Sequence, residues 1–316
     1  MSFRILMVLL MLLPILSVQA CSSPPPPVIA SDHPLAGRIW QPRTGRFLTV
    51  SDLEALLGSA QVVVLGETHD NPDHHAGQAW AVRALVAAGK KPQVAFEMID
   101  RDRQADLDEA VHDLDGLGEA LRWNERGWPD WQMYRPIAEA ALAAGGTLSA
   151  ANLPADLTRQ IARRAEPAEQ AARLGLDTPL PEAFAAALAD EIRSSHCNMM
   201  PDSAIPAMVR VQRARDAEMA ATVAALAQRP GTGPVVLIAG AGHARTDRGV
   251  PERLRQIAPS LNVFSLGLIE IEAAVTDPAA ESPPFDAVWF TGRAEREDPC
   301  AQLMRHMKKK SDAAGK

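Results

Sequence analysis

Val62-Val63-Val64-Leu65-Gly66-Glu67-Thr68-His69-Asp70-Asn71-Pro72-Asp73-His74-His75 is the stretch on which the reading of this chain turns. Its short apolar run reads as a buried strand. The run stops at a glycine, followed at once by acid, imidazole and amide groups. In an open α/β sheet, ligands bind outside the carboxyl ends of the strands, so these polar groups stand where a site would form. Val235-Val236-Leu237-Ile238-Ala239-Gly240-Ala241-Gly242-His243 repeats the plan, an apolar strand and then Gly-x-x-His. Two such loops, far apart in sequence and alike in chemistry, point to one shared site.

Outward from that segment, residues 94–96 before Glu97 and 147–151 before Asn152 are further apolar runs ended by polar groups. Residues 263–266 and 287–290 extend the count. Continuous apolar runs of this length suit a parallel sheet covered on both faces. Between the first two strands, residues 74–88 read as a helix closed by Gly89, with Lys90 and Lys91 at its end. Asn71-Pro72-Asp73 supplies the cap. One of His74 and His75 is expected to face the site and the other solvent. The resulting βαβ unit, with its right-handed crossover, makes a doubly wound sheet the default. The expected class is therefore α/β, a parallel sheet flanked by helices with an additional mainly helical subdomain. Residues 101–143 and 155–228, rich in Ala, Arg and Glu, supply the helical insertions. Within them, Met208, Gln212, Arg215, Asp216 and Met219 fall on one helical face.

The 316 residues are 47% apolar, ample for a sizeable core. A net charge of −7 without a basic stripe in the body argues against nucleic acid as a partner. Arg4 precedes an apolar run from Ile5 to Leu13 that Pro14 ends, a secretory h-region too short for an ordinary spanning helix. Leu16-Ser17-Val18-Gln19-Ala20-Cys21 resembles a bacterial lipobox, which makes Cys21 the lipid-bearing residue. Ser22 in place of an aspartate, by resemblance to Gram-negative lipoproteins, favours the outer membrane. The expected plan is a leader over 1–20, a proline-rich tether over 21–35, an α/β domain over 36–300 and a basic flexible tail over 301–316. The tether's Pro24-Pro25-Pro26-Pro27 is stiff and extended. Cys197 and Cys300 are free to pair in an oxidising compartment, but spacing alone does not bring their Cα atoms together.

Glu67, His69, Glu97, Asn152 and His243 share one address, the end of a strand. Two imidazoles and two carboxylates suit a zinc or manganese site, with Glu67, His69 and His243 as ligands, or a general acid–base pair. The plainer alternative has Glu67 capping the next helix and the histidines satisfying buried backbone groups. Trp123, Trp128, Trp131 and Tyr134, the chain's single tyrosine, form either a core patch or the wall for a flat apolar ligand. A tyrosine phenolate can bind ferric haem axially, and Arg135 beside it suits a ligand carboxylate. His196, Cys197 and the methionines after them are either haem or copper ligands or an ordinary turn between helices.

The run Leu65-Gly66-Glu67-Thr68-His69-Asp70-Asn71, then Phe96-Glu97-Met98, Tyr134-Arg135-Pro136-Ile137 and Ala150-Ala151-Asn152 resembles the ChaN-like haem-binding lipoproteins of bacterial iron uptake. So do His196-Cys197, Gln212-x-x-Arg215-Asp216-x-x-Met219-Ala220 and Ala239-Gly240-x-Gly242-His243-Ala244-Arg245. The wider superfamily includes the Tiki metalloproteases and erythromycin esterases, whose strand-end Glu and His residues Glu67, His69, Glu97 and His243 resemble. The resemblance implies a lipid-anchored haem-binding protein of iron acquisition, a homodimer whose apolar groove covers the porphyrin. It implies Tyr134 as iron ligand, Arg135 or another arginine on the propionates, His196 near the haem, and an outer-membrane haem receptor as partner. The alternative it leaves is a hydrolase dependent on those Glu and His residues or on a divalent metal such as zinc.

Overall fold

The computed structural model describes residues 32–280, 284–298, 300–301 and 304–305. The leader, Cys21, most of the tether and the tail beyond Arg305 lie outside the described residues.

The chain enters through a short antiparallel pair, β1 (Ile39–Gln41) and β2 (Arg46–Leu48), and then α1 (Val50–Ser59), where Thr49 and Asp52 form a capping box. β3 (Val62–Glu67), α2 (Pro72–Ala87) and β4 (Gln93–Asp100) make the first βαβ unit. α3 (Gln104–Ala110), α4 (Leu117–Ala120) and α5 (Trp131–Ala143) lead to β5 (Thr147–Asn152). Four helices follow: α6 (Ala155–Ala162), α7 (Ala168–Arg173), α8 (Glu182–Ser195) and α9 (Ile205–Ala227). β6 (Val235–Gly240), α10 (Ala241–Ala244), α11 (Val250–Ile257), β7 (Val263–Glu270) and β8 (Ala287–Thr291) complete the order.

Eight strands form one sheet in the order β2-β1-β8-β7-β3-β6-β4-β5. All pairings from β8 to β5 are parallel, and β1 is antiparallel to both its neighbours. The sheet is thus mixed but mostly parallel, as its apolar strands require. Because strand side chains alternate, each strand feeds two cores. Val63, Leu65, Val94, Phe96, Val236 and Ile238 pack on one face with α2 and α5. Val62, Val64, Ala95, Val235, Leu237 and Ala239 pack on the other with α9 and α11.

The two helix-rich stretches behave differently. Leu107, Leu117, Leu121, Trp123, Trp131, Tyr134 and Ile137, all within 101–143, belong to the main core under α2. Within 155–228, by contrast, Ile161, Leu174, Leu176, Val211 and Ala214 share a small core of their own, and Leu188, Ile192 and Ile205 share another. The second half of α9 returns to the sheet through Met219, Ala220 and Val223. Cys197, just after α8, is bonded to Cys300 with the Cα atoms 5.5 Å apart, within ordinary disulfide reach.

Three local readings change. The β1–β2 pair was not anticipated, since three-residue strands leave little periodicity. β4 runs through Glu97 to Asp100, so that carboxylate sits inside a strand whose pairing slips after Phe96. α2 begins at Pro72, with the Asn71 side chain accepting from the Asp73 and His74 amides. Gly66 is a genuine close approach: a Cβ there would lie 2.8 Å from the Ala244 Cβ, so the turn carrying His243 can rest on β3.

Candidate functional site

The carboxylate of Glu67, at the end of β3, is fully buried. Its Oε1 accepts from the Tyr134 hydroxyl at 2.8 Å and from His69 Nδ1 at 2.7 Å. Its Oε2 accepts from Gln78 Nε2 at 2.7 Å and faces His75 Nδ1 at 3.2 Å. Burial alone would raise its pKa, but His75 and His69 outweigh that and hold the carboxyl far below the usual range. His75 Nε2 meets the His69 carbonyl at 2.8 Å, while its Nδ1 faces Gln78 Oε1 as well as Glu67. Every partner of that ring is an acceptor, so both nitrogens donate and the ring is the cation. Burial lowers the His75 pKa and Glu67 raises it, with a net rise. His74 is the opposite case. Its Nδ1 accepts from the Thr68 amide at 2.7 Å and its Nε2 reaches the Thr291 hydroxyl at 2.8 Å. Burial pushes its pKa to about 4, and it is neutral.

A second buried network lies at the ends of β4 and β6. Glu97 Oε2 accepts from the Gly240 amide at 2.7 Å and Oε1 lies 3.2 Å from His243 Nε2. His243 Nδ1 is 2.6 Å from Asp216 Oδ1 on α9. An imidazole clamped between two carboxylates is held as the cation. Burial works against that charge, yet Glu97 and Asp216 carry the His243 pKa to about 10. Glu97 is displaced to about 2, its burial outweighed by His243. Asp216 is raised to about 6, burial and the nearby acids prevailing over His243.

Both networks border one cleft of about 750 Å³, into which Glu67, His69, Glu97 and His243 all face. The strand-end address thus brings these four together. His69 keeps its side chain 34% exposed while Nδ1 holds Glu67, and its ring meets Trp128 edge-on with centroids 5.0 Å apart. Its pKa is raised, burial being outweighed by the Glu67 hydrogen bond and the charge of Glu97. The opposite wall comes from the insertion: Leu188, Ile192 and His196 on and after α8, Met208, Val211, Gln212 and Arg215 on α9, and Arg159 on α6. Chemically, two carboxylate–imidazole pairs beside an apolar wall can orient a ligand and hold or move a proton. Among the described residues, no three His, Cys, Asp or Glu side chains converge as a metal cage. Most of the donors are spent on one another.

Other expected residues lie elsewhere. Tyr134 is 0% exposed, with its ring against His75 and Trp123, centroids 4.1 and 4.9 Å away. Burial and then the Glu67 charge push its pKa well above the ordinary phenol value. Its hydroxyl donates inward to the buried Glu67 carboxylate, and Tyr134 is not among the residues lining the cleft. Arg135 pairs with Asp115 at 3.2 Å and is outside the cleft lining. Asn152, the last residue of β5, is buried and outside the cleft lining, its Oδ1 accepting from the Leu153 amide. His74 and His75 are both buried, so neither faces solvent. Sequence reasoning did not name Gln78 at all. It placed Asp216 and Arg215 on a shared helical face without assigning them a partner, although that face was the available signal.

Comparison with known proteins adds the following. The family model described as "Haem-binding uptake, Tiki superfamily, ChaN" matches residues 54–254. A search of curated proteins returns no match. Among solved structures, ChaN of Campylobacter jejuni, described with cofacial heme binding, is similar at 22% identity and a TM-score of 0.64, over 79% of this chain and 95% of that one. An erythromycin esterase mutant in its open conformation is similar at 15% identity and a TM-score of 0.43, over 80% of this chain and 82% of that one.

Two outcomes are expected of the networks. Tyr134→Phe removes one hydrogen bond to a buried carboxylate and should lower the unfolding free energy by about 1.5–3 kcal/mol in chemical denaturation; a loss under about 0.5 kcal/mol would contradict the role given to the hydroxyl. The raised His243 pKa contributes stability in full below its ordinary value of 6.5, and that contribution is lost as pH rises towards about 10. The denaturation midpoint should therefore fall steadily over that alkaline interval, and a flat midpoint there speaks against a charged His243.

Proposed function

The chain belongs to the haem-binding-uptake ChaN family of the Tiki superfamily, and from that premise we propose that it takes haem as cargo in the strand-end cleft, as a lipid-anchored protein of iron acquisition. The residues lining the cleft fit an iron porphyrin. Trp128, Leu188, Ile192, Met208 and Val211 offer the apolar surface that a flat macrocycle needs. The observation that carries the reading is Arg215. It is half-buried on α9 and lines the cleft, and its guanidinium makes no ion pair among the described residues. A cation left open beside an apolar wall suits a carboxylate from the ligand, and haem carries two propionates. Arg159 lines the same cleft.

Haem brings the iron; the chain's part is to enclose the ring, bind its acids and keep water from its faces. The anchoring half of the proposal is supported by the lipobox-like run ending in Cys21. On this proposal the protein sits at the outer membrane, facing the periplasm or cell surface, with a second copy and a haem receptor as its partners. The hydrolase alternative draws on the same Glu67, His69, Glu97 and His243 and has no separate observation in its favour.

Titration of the protein with haemin, followed by absorbance, should show saturable binding. Arg215→Ala should weaken it about tenfold or more, as loss of a charge-assisted hydrogen bond predicts. Equal affinity in that variant would remove the anchor from the argument. Cys21→Ser should move the protein from the membrane fraction to the soluble fraction and abolish palmitate incorporation; retention in membranes would refute the anchor.

A further inference from the structure

A second cavity, of about 400 Å³, opens between the loop after α7, the start of α8, α9 and α11. It shares no lining residue with the strand-end cleft. Leu174, Pro179, Leu180 and Phe184 give it an apolar side, with Phe184 38% exposed. Its charged lining is Arg213 on α9, Arg248 before α11 and Arg253 on α11, with Asp216, Asp247 and Glu252.

These charges do not cancel within the cavity. Each acid already has a basic partner: Asp216 has His243 at 2.6 Å, Asp247 has Arg245 at 2.8 Å, and Glu252 has Arg255. Those three partners stand outside the lining. Arg248 is taken up by Glu191 and Asp247. Arg213 and Arg253 remain, and neither makes an ion pair among the described residues. Arg213 Nη2 donates only to the carbonyls of Gly175 and Thr178, at 2.9 and 2.5 Å. Arg253 donates to Gln256 Oε1 at 3.0 Å and to the Arg173 carbonyl at 3.5 Å.

Both guanidinium groups converge on Gly175. Arg213 bonds to its carbonyl, and a Cβ there would lie 2.8 Å from both terminal nitrogens of Arg253. Gly175 has φ +65°, the left-handed conformation that glycine adopts without strain. One residue thus turns the loop and leaves room for the second cation. The arrangement is costly without an anion: burial, then the charges of Arg210 and Arg253, lower the Arg213 pKa, and burial lowers that of Arg253. Guanidinium forks match the oxygens of a phosphate and can hold it in two bonds each. A cavity of this volume also has room for an organic body beside the phosphate.

We propose that this cavity binds a phosphate monoester, its phosphate between Arg213 and Arg253 and its organic body against Leu180 and Phe184. The site stands apart from the haem reading of the cleft. A soluble organic phosphate and the headgroup of an anionic lipid present the same chemistry, and the test separates them.

Calorimetric titration of the full-length chain with phenyl phosphate should show saturable binding at one site. Inorganic phosphate should bind at least about fivefold more weakly, because it leaves the apolar side uncovered. Arg253→Ala should weaken phenyl phosphate about tenfold. Arg213→Lys, which keeps the charge and loses the fork, should do the same. Arg255→Ala, on the same helix but outside the lining, should stay within about twofold. If Arg213→Lys fails to fold by circular dichroism, Arg253→Ala carries the test alone. Phosphatidylcholine vesicles containing phosphatidic acid should compete with phenyl phosphate if the source is a lipid, and leave it bound if the source is soluble. Absence of saturable binding, unchanged affinity in Arg253→Ala, an equal loss in Arg255→Ala, or displacement of phenyl phosphate by haemin overturns the assignment.

Discussion

A buried, ionised carboxylate is the constraint from which much of this molecule follows. Taken out of water without partners, such a group costs several kcal/mol, so Glu67 must be surrounded by donors or the fold is lost. The donors come from three places: His69 from the loop after β3, His75 and Gln78 from α2, and Tyr134 from α5. Satisfying one side chain therefore fixes the path of the loop, the docking of α2 and the docking of α5. His75 cannot be neutral there, and the ion pair it forms with Glu67 keeps the charge of the pair balanced in an otherwise apolar layer.

The second buried network performs the matching task across the cleft. Glu97 in β4, His243 in α10 and Asp216 in α9 tie two strand ends to the long helix of the insertion. This contact sets the distance between the polar floor and the apolar wall. The wall is otherwise held by small clusters of its own and by the Cys197–Cys300 bond at the turn after α8. A rigid floor under a separately packed wall suits a site that must be shaped for a flat ligand before the ligand arrives.

Much of the frame was legible residue by residue. The runs before Gly66 and Gly240 are apolar on both faces, which only a covered parallel sheet accommodates, and their polar ends mark one edge of that sheet. His74 and His75 were harder. A surface helix turns one face to water, but α2 lies between α1, α5 and the sheet, so two adjacent histidines are both buried and take opposite charge states. Tyr134 was harder still. Its neighbours Trp131 and Arg135 advertise a ligand patch, yet depth is not written in spacing, and α5 turns the phenol inward to a carboxylate 67 residues away.

Composition and periodicity were thus enough to establish a mostly parallel α/β sheet, the strand ends that carry its chemistry, and the family resemblance of its motifs. They could not allot hydrogen bonds. Which imidazole is charged, which is neutral and which keeps a free nitrogen depends on partners brought within 3 Å from distant segments, as Thr291 is for His74 and Asp216 for His243. Those encounters exist only after the layers have packed. Folding consumed most of the polar groups that looked available in sequence, and left His69 and Arg215 open at the cleft.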